Sequence, residues 1–123
     1  DCQFPAEDLA AMRGLLDEML QVPSGDLLAI VENDNRFHRI IVQRAGLPRL
    51  LKFWDDLNYG SLIAGVKSGP YHGDLAVRQN VIHTELYHAL ASRDTEAACQ
   101  AVYDHYMKPL EALREAEKSA AAR

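Results

Sequence analysis

The stretch ENDNRFHRII, residues 32–41, has the period of a buried helix but breaks the rule such helices follow. Positions 27, 31, 34, 38, 41 and 45 read Leu, Val, Asp, His, Ile and Ala. Steps of four and three residues keep them on one stripe of a helix. Asp34 and His38 therefore stand in an otherwise apolar seam. A carboxylate and an imidazole in an interior need partners, because burying polar groups unpaired costs several kcal/mol.

Working outward, the same helical period recurs along nearly the whole chain, and strand-like alternation is almost absent. The sequence predicts an antiparallel all-α bundle of about five helices in one domain spanning residues 1–123. The first helix starts after Pro5, with Glu7 and Asp8 suited to its positive N-terminal end, and turns Leu9, Met12, Leu16, Met19 and Leu20 inward. PSGD at 23–26 breaks it. The second is capped by Ser24 or Asp26 and runs to about Ala45, where Gly46 and Pro48 end it. The third begins at Pro48, presents Leu50, Leu51, Trp54 and Leu57 to the core, and ends between Tyr59 and Ala64. Glycines make Gly65–Gly73 a loop containing His72. The fourth covers about Asp74 to Ala91. The fifth is capped by Asp94 and reaches about Glu117, with a kink expected near 105–109, since Pro109 removes a helical N–H and crowds the preceding turn.

Composition narrows the function classes. A net charge of −5 gives no basic footprint for nucleic acid or an anionic membrane. No apolar stretch is long enough to span a bilayer. Cys2 and Cys99 form neither a disulfide framework nor a metal motif, so a reduced, cytoplasmic setting is expected.

Two further histidines lie on inward faces. On the fourth helix His83 shares a face with Ile82, Leu86 and Leu90. On the fifth, His105 shares one with Ala98, Ala101 and Val102. Taken singly, an inward histidine is more often a hydrogen-bonded core residue than a ligand, and Asp34 with His38 could be a simple buried pair. Three imidazoles and a carboxylate aimed at one interior change that balance. A divalent cation accepts lone pairs from neutral imidazoles and offsets the carboxylate charge, and the i, i+4 spacing of Asp34 and His38 places two donors on one side of a helix. Gln79 and Asn80, one turn or less before His83, are candidates to touch an effector or to orient a metal ligand. Arg78 lies further round the helix and is less well placed. His72 is expected in solvent and His88 on an outer face. Tyr59, Tyr87, Tyr103 and Tyr106 fall at helical positions that suit the core edge, with a hydroxyl aimed at a ligand as the alternative.

The motifs also resemble a known family. NDNRFHRIIVQRAGLPRLLKFWDDL is similar to the Asp-x-x-Phe-His helix of the FadR C-terminal domain (FCD) family, which Asp34, Phe37 and His38 fit. AGLPRLL resembles that family's Gly-Asn-Pro-x-Leu turn, with Leu47 in place of Asn. HTELYHALASRDTEAA and AVYDHYMKPL resemble its two histidine-bearing later helices. The resemblance covers residues 7 to about 115. It implies the effector-binding half of a GntR-type bacterial transcription regulator, not an enzyme, and no catalytic residue is assigned. In the metal-binding branch the ligands are one Asp and three His, which map onto Asp34, His38, His83 and His105.

The resemblance further implies a small organic acid as effector, a homodimer, and DNA contact only through a separate winged helix-turn-helix domain. That domain and the first effector-domain helix are expected to lie outside this sequence. The donor set suits zinc, nickel, manganese or iron. The rival readings are a dimerisation or structural bundle with an inert, closed metal, and a metal-dependent hydrolase. No Glu stands beside the ligands in a His-Glu-x-x-His motif to serve the latter.

Overall fold

Pro5 opens the first helix, its fixed backbone angle fitting the entry and its carbonyl accepting from Leu9 N–H at 3.1 Å. The computed structural model describes residues 3–23, 25–57 and 75–123. In order these form α1 (Ala6–Met19), α2 (Leu27–Arg44), α3 (helical over 48–57), α4 (Leu75–Ala91) and α5 (Thr95–Ala121). The helices pack as a bundle with no strand among the described residues. Ser24, Tyr59, the expected 65–73 loop, His72 and Asp74 lie outside the described residues.

Local chemistry sets the boundaries. Asp26 caps α2, its Oδ1 accepting from Ala29 N–H at 3.1 Å. Gly46, at φ +68°, follows the Ala45 C-cap and takes the left-handed conformation that releases the chain from the helix. Asp94 caps α5 in the same way, accepting from Ala97 N–H at 3.0 Å. Pro109 lies within α5 and does not end it. The helix continues to Ala121, four residues beyond the expected Glu117. The alanines near its end are strong helix formers, and an exposed Glu115–Lys118 pair at 2.7 Å adds a little.

α1 packs against α2 and α4, α4 packs against α5, and α2 also meets α4. Met12, Leu15 and Leu16 of α1, Phe37 of α2, Leu86 and Leu90 of α4 and Ala98 of α5 form the main core. Met19, Ile30 and Ala76 form a smaller one. Burying a side chain such as Phe37 fully is worth about 1.5–3 kcal/mol.

Two expectations need correction. Leu20 is 51% exposed, because it lies past the last helical residue of α1, and Leu15 is buried on the inner face instead. On α3, Leu51 and Trp54 are partly buried, but Leu50 and Leu57 are exposed beside Phe53. A periodic apolar face shows what a helix could bury. It does not show that anything covers it.

Polar clamps fix α1. Asn33, itself buried, donates from Nδ2 to the Leu15 carbonyl at 3.0 Å. Asn80 of α4 donates to the Leu16 carbonyl at 2.7 Å. Leu15 and Leu16 lie near the C-terminal end of α1, so α2 and α4 each tie that end of the helix by one side-chain hydrogen bond.

Candidate metal centre

α2 carries Asp34 and His38 one turn apart, α4 carries His83 and α5 carries His105. The packing that buries Phe37 and Leu86 brings all four together. Asp34, His38 and His83 are buried and His105 is half-buried. His38 Nε2 lies 3.0 Å from His83 Nε2 and 3.1 Å from His105 Nε2. Asp34 Oδ1 lies 2.8 Å from His83 Nε2 and 3.6 Å from His38 Nε2. The facing donor atoms of the three histidines all lie within 4.8 Å of one another. Phe37 stands edge-on to the His83 and His38 rings, with centroids 5.0 and 5.8 Å away, and joins the cluster to the apolar core.

The outer nitrogens explain why the inner ones converge. His83 Nδ1 lies 2.6 Å from the Gln79 carbonyl one turn earlier. A carbonyl only accepts, so Nδ1 holds the proton and neutral His83 presents a bare Nε2 lone pair. That lone pair faces the Asp34 carboxylate, an arrangement that repels unless a proton or a cation lies between them. The His38–His83 and His38–His105 separations suit an ion with octahedral angles: two nitrogens about 2.1 Å from it and about a right angle apart sit about 3.0 Å from each other. The buried three-histidine cluster is compatible with a metal site.

The titration behaviour has the same origin. Burial pushes the Asp34 carboxyl up, but once His38 and His83 carry protons on Nε2 their hydrogen bonds and charge outweigh it and hold the group well below the usual carboxylate range. Burial, with the charges of His38 and His83 adding to it, pushes His105 down to about 3 against an opposing pull from Asp34. His105 is thus kept neutral, the form that donates a lone pair.

Tyr106 is half-exposed, yet its hydroxyl points inward and lies 3.1 Å from His38 Nδ1. Burial of that hydroxyl, with the Asp34 charge nearby, raises it to about 12. The sequence places Tyr106 among core-edge residues, with a hydroxyl aimed at a ligand as the alternative, and does not name His38 as its partner. The available signal was its row on α5, where it follows Ala98 and Val102 at i+8 and i+4, next to the stripe carrying His105.

Gln79 and Asn80, candidates to touch an effector or orient a metal ligand, and Arg78, a candidate for its carboxylate, are placed differently from one another. The Asn80 side chain is engaged with α1, and the Gln79 carbonyl with His83. Arg78, judged the least well placed, lines a cavity of about 340 Å³ between α4 and α5, together with Glu85, Asp104, His105 and Lys108. His88 is exposed.

Residues 2–108 match the FCD domain. The chain belongs to that family. FCD domains are the effector-binding, regulatory and non-catalytic domains of GntR-type regulators. No curated protein and no solved structure matches this FCD domain significantly. No described helix is long and apolar enough to cross a membrane.

Proposed function

We propose that this FCD domain senses a small organic acid at a divalent metal centre held by Asp34, His38, His83 and His105. The observation that carries the reading is the convergence of three imidazole Nε2 atoms beside a buried carboxylate, with the Nδ1 atoms of His38 and His83 occupied on their outer sides. When bound, zinc, nickel, manganese or iron would supply the positive charge that a ligand carboxylate needs. The chain's own residues set the rest. Gln79 orients His83 through its carbonyl, and Phe37 closes the cluster on the core side. Arg78, on the cavity wall shared with His105 and Lys108, is a protein cation placed to meet a ligand carboxylate. Gln79 and Asn80 contribute through the helix positions they fix.

In a complete regulator this domain works as a cytoplasmic homodimer, coupled to a separate winged helix-turn-helix domain. The effector can shift DNA binding only by its difference in affinity between the two states of that assembly.

The test is metal analysis and native mass spectrometry of the purified chain, followed by calorimetry with citrate, lactate and related acids. Metal-loaded, chelated and Asp34→Asn proteins would be compared at pH 7.5. Acid binding should disappear on chelation and weaken in Asp34→Asn. Undiminished binding to chelated protein would refute the proposal. Tight metal binding with no response to any acid would favour an inert structural metal.

A further inference from the structure

His38 and His83 contribute equivalent nitrogens to the cluster, but their outer nitrogens are held in different ways. His83 Nδ1 meets a main-chain carbonyl of its own helix, a partner that only accepts and cannot move away. His38 Nδ1 meets the Tyr106 hydroxyl, which comes from α5, across the bundle from α2, at 3.1 Å. A phenol hydroxyl both donates and accepts, and its proton rotates to suit. The Tyr106 ring lies against the His38 ring, with centroids 5.6 Å apart, and edge-on to His105 at 5.5 Å. Its outer half faces solvent, so it stands between the cluster and the surface.

We infer that Tyr106 is a positioning residue of the metal centre, holding His38 with Nε2 toward the other two imidazoles in both the free and the metal-bound states. The inference rests on the metal reading of the cluster. Without an ion, a proton on His38 Nε2 can be donated to the bare His83 Nε2 at 3.0 Å, and the Tyr106 O–H then donates to His38 Nδ1. With an ion, His38 must present its Nε2 lone pair. Its proton then resides on Nδ1 and is donated to the Tyr106 oxygen. The hydroxyl turns, and the imidazole keeps its place. A main-chain carbonyl at this position would forbid the first arrangement, and a phenylalanine would leave Nδ1 without this partner in either.

Outer partners of metal-binding histidines typically govern affinity by about 10- to 100-fold. The experiment compares wild type, Tyr106→Phe, Tyr103→Phe and His38→Ala, all stripped with a chelator. Zn²⁺ affinity is read by competition with a chromophoric chelator, and the visible spectrum is recorded with Co²⁺. Thermal melting is followed without metal. Tyr103→Phe makes the same chemical change at an exposed site on the same helix.

Tyr106→Phe should bind Zn²⁺ about 10-fold or more weakly and alter the Co²⁺ spectrum, while its metal-free melting temperature falls only by the small amount one lost hydrogen bond costs. Tyr103→Phe should change neither. Wild-type Zn²⁺ affinity in Tyr106→Phe, with binding lost in His38→Ala, would overturn the role of Tyr106 and leave the metal centre standing. An affinity loss matched by an equal loss of metal-free melting temperature would make Tyr106 merely structural and overturn the inference. Absence of stoichiometric Zn²⁺ or Co²⁺ binding by wild type would remove the metal reading, and this inference with it.

Discussion

Phe37 and His38 are adjacent in sequence and almost equally buried, at 1% and 5% exposure, yet they belong to two halves of the interior with different requirements. Phe37 joins Met12, Leu15, Leu16, Leu86, Leu90 and Ala98, where contact and removal from water are sufficient. His38 joins Asp34, His83 and His105, where removal from water is itself the cost and specific partners must offset it. The apolar half can tolerate other side chains of similar volume. The polar half depends on individual atoms being placed to within about half an ångström. Stability resides mainly in the first half and chemistry in the second.

The sharpest way to break this comparison is to truncate each neighbour. Phe37→Ala should destabilise by about 3–5 kcal/mol whether or not metal is present. His38→Ala should cost much less in metal-free protein but abolish the rise in melting temperature on adding Zn²⁺. Thermal melts with and without Zn²⁺ decide it, and a metal-independent loss in both variants would erase the distinction. His88→Ala, on the exposed flank, is the matched histidine control.

Next in size is the metal itself. A ligand that binds only the folded state at 100 times its dissociation constant adds about 2.7 kcal/mol. Chelation should therefore lower the melting temperature by several degrees, and Asp34→Asn should shrink that difference while preserving the helical circular dichroism spectrum. An Asp34→Asn protein with the full metal shift would show that the carboxylate is dispensable.

Acid provides a graded test. His105 is held near 3 in the fold against about 6.5 in the unfolded chain. Between those values the unfolded state binds the proton, so metal-free stability must fall as pH drops from about 6.5 toward 3. Asp34, held low by its histidine partners, adds a loss at the acid end of the same range, as pH falls below the ordinary carboxylate value. The unfolding midpoint of chelated protein in urea at pH 7.5, 5.5 and 4.5 should decrease in that order, with a shallower slope in His105→Ala. Equal slopes would mean that other groups govern acid sensitivity.

The smallest effects concern polar contacts away from the cluster. Asn33→Ala strips the buried clamp on the Leu15 carbonyl and should cost about 1–3 kcal/mol without altering Zn²⁺ affinity. Arg36→Ala removes an exposed ion pair with Glu18 and should change stability by less than about 1 kcal/mol. Denaturant midpoints and chelator competition on both variants read the two quantities separately.

Much of this arrangement was legible in the sequence because period and capping are local. The seam through Val31, Asp34 and His38, the Asp26 and Asp94 caps and the Gly46 stop can each be read within a few residues. Asn33 escaped because a second stripe, Ile30, Asn33, Phe37 and Ile40, lies beside the one that was followed and carries its own polar interruption. The outward turn of Leu50 and Leu57 was illegible for another reason: coverage of a face is a property of the assembled molecule. Arg78 was ranked low from its angle to His83 on one helix, whereas the cavity wall is shared with α5. Tyr106 was similarly hidden, because its partner lies 68 residues away in sequence.

That separation carries a consequence for kinetics. His38 and His83 are 45 residues apart, and His38 and His105 are 67 apart, so the donor set does not exist until α5 has docked. Closing loops of this length is an entropic debt incurred before any lone pair is available to a cation. An ion that needs all three imidazoles cannot assist the early encounters. It acts after the last helix is seated, and its stabilisation falls on the rate of opening rather than on the rate of assembly. The centre would thus serve as a latch, extending the lifetime of a bundle that reaches its shape without it.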